Sequence, residues 1–402
     1  MGEKIALGFH TCIDFETAWS TETVEKMICE FDVHENDIAA GDIQIASERA
    51  LLISSLWHMK HGMGCELIPD TNQICLDFAN RFQYRVTIGG TATRAAIAIS
   101  KLGYESTIQL SSFNRYMKEL LPEEIHYMIG VKHESKEIYP HVILSYQAGI
   151  RIKANDIDFV TPRENRVMFS RDIESLHLVV SPEYAPYIQD AEVFLLSCFS
   201  EILEKEVIED RMMHTRNLLK SLPQKAIVVM EDGCYIRKDF RIFVHQALRQ
   251  VIDVLSMNEE ELQEYVDHRI NILNENEVLS SVELVYAKVK IPILLIHSAS
   301  WALAYGKDAK KYKRALKGGI TMASTRFWYG DEFGKKEYEE AENLPDKKES
   351  KEFCKKIEAK AGDVICCLPA KDLTFVENPT VVGLGDFFAG GLLAQLTVER
   401  RL

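Results

Sequence analysis

The chain has 402 residues, 47% of them hydrophobic and 27% charged, the balance of an ordinary globular protein. That length suits two or three domains of ~100–200 residues, or one large α/β body carrying an appendage. Lys and Arg number 47 against 61 Asp and Glu, a formal charge of −14. Such a field repels polyphosphate backbones and anionic lipid, so no nucleic acid and no membrane are expected as partners.

The N-terminal stretch MGEKIALGFHTCIDF carries neither a basic region nor a small-residue cleavage pattern. Ala6 also breaks the myristoylation pattern, and a cytoplasmic location is expected. The nine cysteines are scattered and form no Cys-x-x-Cys pair, so they read as reduced thiols rather than a disulfide framework or a structural zinc site.

Along the chain, Phe82, Tyr84, Val86 and Ile88 alternate with Arg81, Gln83, Arg85 and Thr87, the period of a half-exposed antiparallel strand. Residues 141–146 and 150–159 alternate in the same way around a turn at Ala148 and Gly149. With residues 21–40, these pieces predict a small second sheet, a discontinuous β-rich lid formed by about 15–45, 76–92 and 133–172. From about residue 105, β-branched runs predict strands at 106–110, 193–198, 226–230, 251–255, 291–296 and 364–368. Helices are expected at 239–248, where Phe240, Phe243, Val244, Ala247 and Leu248 share a face, and at 259–273 and 301–316. The apolar run 291–305, interrupted by Pro292 and His297, falls short of the ~20 residues that cross a bilayer. Residues 334–360, dense in Lys and Glu, read as a solvated loop and helix. The alternation predicts an α/β fold, a doubly wound, mostly parallel sheet with helices on both faces and ligands at the carboxyl ends of its strands.

The most informative stretch is Asn378-Pro-Thr-Val-Val-Gly-Leu-Gly-Asp-Phe-Phe-Ala-Gly-Gly-Leu. A turn with Gly383 and Gly385 precedes a helix beginning near Asp386. Backbone N–H groups at such a start lack intrahelical partners, and the helix dipole adds positive potential, which suits a phosphate. Asp386 is either a base for an attacking hydroxyl or an N-cap after a glycine turn. A dinucleotide fingerprint is disfavoured, because too few residues follow Asp386 for the second strand and acidic residue it requires. Asn258 and Glu261 fit a capping box, which would fix a carboxylate at a strand end beside Glu231. Two carboxylates there suit Mg²⁺ held largely through water.

The Gly383-Leu384-Gly385-Asp386 turn, preceded by Pro379-Thr380-Val381-Val382, resembles the signature of the ADP-dependent glucokinase and phosphofructokinase family of the ribokinase-like superfamily. Four segments in the same order are similar to that family's motifs. These are Phe9-His10-Thr11-Cys12-Ile13-Asp14, Ile88-Gly89-Gly90-Thr91-Ala92, Pro162-Arg163-Glu164-Asn165-Arg166 and Met257-Asn258-Glu259-Glu260-Glu261-Leu262. The resemblance implies transfer of the terminal phosphoryl of ADP to a hydroxyl of a hexose or hexose phosphate. Asp386 would be the base, and the N–H groups of Gly383, Leu384, Gly385 and Asp386 the anion hole. Glu231, Glu261 and Asn258 would organise Mg²⁺. Asp14, Gly90, Thr91 and Asn165 would face the sugar, with Arg166 on anionic oxygens. The same fold also accommodates an ATP-dependent sugar or nucleoside kinase, or a non-catalytic sugar or nucleotide sensor.

Four positions depart from the family pattern. Val229-Met230-Glu231 stands where His-x-Glu is usual, and Thr91, with Thr93 and Arg94, follows the double glycine where Asn or Gln is common. Phe387 replaces a usual Thr, and Ser197-Cys198-Phe199 replaces a Ser-Gly pair.

Overall fold

The structure is a computed structural model, which describes residues 4–39, 43–131, 134–197 and 199–399. Residues 40–42 and 133, expected in the lid, and Cys198, expected in a strand, lie outside the described residues.

A nine-stranded sheet forms the body. Its order is Ile365–Pro369, Trp301–Tyr305, Ile293–His297, Val254–Asn258, Ile227–Glu231, Val193–Leu196, Ile5–Gly8, Ser106–Leu110 and Ile125–Ile129. Neighbours pair in parallel except around Trp301–Tyr305, which is antiparallel to both of its partners. Ile5–Gly8, Val193–Leu196 and Ile293–His297 are buried at every position, as strands covered on both faces by helices must be. The strands predicted for this sheet are all present, Ser106–Leu110 with the expected ends and the others with shifted ones. Pro292 has no N–H to give the ladder, so its strand starts at Ile293.

Two helical expectations are corrected. The segment 301–316 is not one helix. Trp301–Tyr305 is a strand, followed by a 3₁₀ turn at Ala309–Tyr312 and a helix over Lys313–Tyr329. The Ala and Leu of this segment favour helix locally, but pairing with two strands overrides that preference. Trp301 is fully buried, stacks on Phe353 and donates its indole N–H to the Ile272 carbonyl at 2.6 Å. The helix expected over 259–273 stops at Val266, where Asp267 turns left-handed at φ 58°.

The smaller sheet has the order Cys65–Leu67, Asn165–Phe169, Pro140–Tyr146, Cys12–Thr17, Tyr84–Gly89. One face carries Ile13, Phe15, Val142, Leu144, Tyr146, Val167 and Phe169. It is buried against the helices Thr21–Glu30, Glu48–Lys60 and Asn72–Ala79. Glu48–Lys60 and the Cys65–Leu67 strand fall outside the expected lid segments, and Asn72–Ala79 falls half outside them. The alternating positions Asp14, Glu16, Arg85, Thr87, His141, Ser145 and Arg166 share the opposite face. That face meets the body through Arg94–Glu16 at 3.5 Å and Arg85–Asp331 at 3.0 Å. Residues 150–159 bend at Asn155 (φ 53°), so Arg151–Ala154 and Ile157–Val160 form a separate hairpin. No helix among the described residues is long and apolar enough to cross a membrane.

Candidate active site

The helix Leu384–Glu399 begins beyond Gly383, whose φ of +74° favours glycine. The first intrahelical bond runs from the Phe387 N–H to the Gly383 carbonyl at 3.0 Å, so the N–H groups of Leu384, Gly385 and Asp386 belong to the helix start. A Cβ on Gly383 would lie 2.1 Å from Arg94 Nη1. The glycine therefore serves the turn and also makes room for a buried cation.

Arg94 is the residue that sequence reasoning passed over as a mere departure. It projects from the helix Thr91–Lys101 and is 4% exposed. Its Nη2 donates to Asp14 Oδ2 at 2.5 Å, its Nε to the Ile88 carbonyl at 3.1 Å, and Nε lies 3.9 Å from Asp386 Oδ2. Burial opposes its charge, but Asp14, Asp386 and Glu16 more than offset this and push its pKa upward. A permanent positive charge thus stands beneath the helix start in an acidic protein.

A second arginine supports the turn from behind. Arg326 Nε donates to the Val382 carbonyl at 3.4 Å, and its guanidinium lies 4.6 Å from the centroid of the Phe387 ring. Phe387 is buried with Phe333, Tyr338 and Met322. Phe387 at this position thus serves packing.

Across the mouth, three adjacent parallel strands end in Glu231, Asn258 and His297. Asn258 caps the helix Glu259–Val266. Its Oδ1 accepts from the N–H groups of Glu260 at 2.9 Å and Glu261 at 2.8 Å, while Glu261 Oε2 accepts from the Asn258 N–H at 2.9 Å. The capping box expected from sequence is therefore formed, with Glu261 buried at a strand end. Asn258→Ala is expected to lower stability by about 1 kcal/mol, read from urea unfolding.

Glu231 is 8% exposed. Its Oε1 lies 3.1 Å from His297 Nε2, and its Oε2 has no hydrogen-bond partner among the described residues. Burial first, then the charges of Asp232 and Glu231, hold the Glu261 carboxyl well above the usual carboxylate range. A buried carboxylate oxygen without a donor, beside a second strained carboxyl, is the environment a hard divalent cation relieves. His297 also stacks on Phe388 at 4.5 Å, and its Cε1 would lie 3.5 Å from a Cβ on Gly385. It joins the carboxylate cluster to the glycine turn. An imidazole is therefore present beside Glu231, supplied by a neighbouring element two strands away in the sheet.

On the other side, Gly90 has φ +88°, and a Cβ there would lie 2.5 Å from the His10 carbonyl. Thr91 opens the helix that follows, and Thr93 Oγ1 donates to the same His10 carbonyl at 3.3 Å. Asp14 is 4% exposed and occupied by Arg94. Asn165 and Arg166 stand farther off. Asp14 pairs with His141 but Asn165 pairs with Tyr146, ~17 Å along the strand. The Asn165 side chain donates to the Gly62 carbonyl at 3.3 Å and accepts from the Arg166 N–H at 2.9 Å. The structure thus gathers Asp14, Gly90, Arg94, the Gly383–Asp386 turn, His297, Glu231, Asn258 and Glu261 around one mouth. Arg166 shares a sheet face with Asp14 at a distance.

A family model described as the ADP-specific phosphofructokinase/glucokinase conserved region matches residues 3–386. Among solved structures, the chain is similar to a phosphofructokinase from Pyrococcus horikoshii OT3 with AMP, at 15% identity and a TM-score of 0.77. That match covers 100% of this chain and 99% of the other. A hypothetical ADP-dependent phosphofructokinase from the same organism aligns at 16% identity and a TM-score of 0.78, again over 100% and 99%. An ADP-dependent kinase in complex with fructose-6-phosphate and ADPβS aligns at 16% identity and a TM-score of 0.76, over 99% of this chain and 95% of that one. No curated protein sequence matches the chain. Identities this low establish a common fold; the family rests on the match over residues 3–386.

Proposed function

Because the chain belongs to the ADP-specific phosphofructokinase/glucokinase family, we propose that it transfers the terminal phosphoryl group of ADP to a hydroxyl of a hexose or hexose phosphate. The observation that carries this reading is the meeting of a helix-start anion site, the Asp386 carboxylate and the Glu231–Glu261 pair at one mouth. Asp386 takes the proton of the attacking hydroxyl as its oxygen forms the bond to phosphorus, and AMP leaves with the electrons of the broken P–O bond. The N–H groups of Gly383, Leu384, Gly385 and Asp386 face the negative charge on the transferring oxygens, and Arg94 adds fixed positive potential below them. Glu231 and Glu261, with Asn258 setting the position of Glu261, would hold Mg²⁺, whose charge neutralises phosphate oxygens.

On the sugar side, Asp14, Gly90 and Thr91 line the approach to Asp386. Asn165 fixes the backbone that presents Arg166, and Arg166 meets the anionic oxygens of a hexose phosphate. The small sheet acts as the lid, closing over the sugar and excluding water. Arg166→Ala is expected to raise KM for a hexose phosphate ~10–100-fold, the worth of one charge-assisted hydrogen bond, while KM for an unphosphorylated hexose is unchanged. Equal losses for both sugars would remove Arg166 from phosphate recognition.

The assignment is tested by measuring AMP release with Mg²⁺ and ADP against a panel of hexoses and hexose phosphates, with ATP in parallel. AMP formed with one sugar of the panel supports the reading. Turnover of ATP alone replaces the donor. Binding of nucleotide and sugar with no product with either donor makes the chain a sensor.

A further inference from the structure

A second cluster of chemistry-bearing side chains lies where the small sheet joins the body, and the phosphoryl-transfer reading uses none of its ligands. His10, on the link between Ile5–Gly8 and Cys12–Thr17, Cys12 on the latter strand, and His141 on Pro140–Tyr146 converge. One ligand atom from each lies within 4.8 Å of the others, and all three residues are buried at 5%, 3% and 2% exposure. The register explains the meeting. Asp14 pairs with His141, and Cys12 lies two residues before Asp14, so Cys12 and His141 share one face.

We propose that His10, Cys12 and His141 form a binding site for a Zn²⁺-class transition-metal ion. The donor set of one thiolate and two imidazoles selects such an ion over Mg²⁺ or Ca²⁺, which take oxygen ligands. Tetrahedral zinc, with bonds of 2.0–2.3 Å, sets its ligands about 3.3–3.8 Å apart, so atoms already within 4.8 Å of one another need close by no more than about 1.5 Å. Cys12 Sγ lies 3.5 Å from Asp14 Oδ1, and Glu201 Oε1 lies 3.5 Å from His10 Nε2, the ring nitrogen that also meets Ser175, which leaves Nδ1 for the metal. A water completes the fourth position. The Cys12 thiol releases its proton to solvent as the metal–sulfur bond forms.

The surroundings are those of a supported metal site. Asp172 Oδ2 lies 3.3 Å from His141 Nε2 and accepts from Ser175 Oγ at 2.6 Å, and Ser175 Oγ lies 2.9 Å from His10 Nε2. Carboxylate and hydroxyl contacts of this kind fix imidazole ligands in place. Cys12, His141 and Asp172 also stand in the order of a nucleophilic triad, but a thiol on a residue 3% exposed offers no approach to an electrophile. Asp172 and Ser175 belong to the strand's return path into the body, and His10 to its outward path. A bound ion therefore ties together two crossings between the sheets and fixes the angle of the small sheet over the mouth.

The test uses the full chain stripped with a chelator, then titrated with Zn²⁺ by calorimetry and with Co²⁺ by absorption. Binding of one ion is expected, with a thiolate-to-cobalt charge-transfer band. Zn²⁺ should also raise the melting temperature. Cys12→Ser should abolish the band and the thermal shift, Asp172→Asn should weaken affinity ~10–100-fold, and Cys29→Ser and Cys234→Ser, at exposed thiols, should leave both readouts intact. Absence of the band in the unaltered chain overturns the proposal without recourse to any variant. So does a band that survives Cys12→Ser.

Discussion

Asp386→Asn is expected to lower kcat by ~10²–10⁴-fold, the range for loss of a general base, with KM for ADP nearly unchanged. The amide keeps the size of the side chain but cannot take the hydroxyl proton. The backbone N–H groups of Leu384 and Gly385 are unaltered, so ground-state binding of the phosphates persists, and a fall in kcat without a rise in KM marks an interaction made only in the transition state. The fold should tolerate the change. Asp386 is 23% exposed at its side chain and lies 3.9 Å from Arg94 Nε, whereas the tight partner of Arg94 is Asp14 at 2.5 Å. Melting temperature and far-ultraviolet dichroism should therefore match the unaltered chain. Near-normal AMP release by Asp386→Asn would remove the residue from the base position and leave it an N-terminal helix charge.

Why some of this site is legible in the sequence and some is not follows from the range of each interaction. The Gly383–Asp386 turn is local: two glycines, an acid and an apolar run specify a helix start without reference to the rest of the chain. The Asn258–Glu261 capping box is local too. The parallel strands announce themselves because both faces are buried, which leaves unbroken β-branched runs. Trp301–Tyr305 hides because its alanines and leucine suit a helix, and only its pairing with Ile293–His297 and Ile365–Pro369 makes it a strand. His297 hides inside an apolar run, 66 residues from the carboxylate it meets. Arg94 is visible as a departure, but its partners Asp14 and Asp386 come from opposite ends of the chain. Asn165 and Arg166 are adjacent in sequence. A period of two sends alternate side chains of their strand to opposite faces, so Arg166 lies on the Asp14 face while Asn165 binds Gly62.

Arg94→Met should destabilise the protein by about 3–5 kcal/mol, the cost of removing one member of a buried ion pair. Asp14 and Arg94 side chains are each 5% exposed, so the loss strands a carboxylate away from water and also removes the donor to the Ile88 carbonyl. Lysine is no substitute, because one ammonium cannot span Ile88, Asp14 and the neighbourhood of Asp386 as the guanidinium fork does. The informative variant is the double replacement Arg94→Met with Asp14→Leu. It removes both buried charges together, so its unfolding free energy should recover most of the loss, and the coupling in the cycle measures the pair. Turnover should not recover with it, since the cation beneath the Gly383–Asp386 turn is still missing. Urea unfolding and AMP release on the same preparations separate the two roles. A single mutant within about 1 kcal/mol of the unaltered chain would show that the pair contributes little to folding. A double mutant restored in both stability and turnover would confine Arg94 to packing and leave the transferring phosphoryl to the helix N-terminus and the cation that Glu231 and Glu261 would hold.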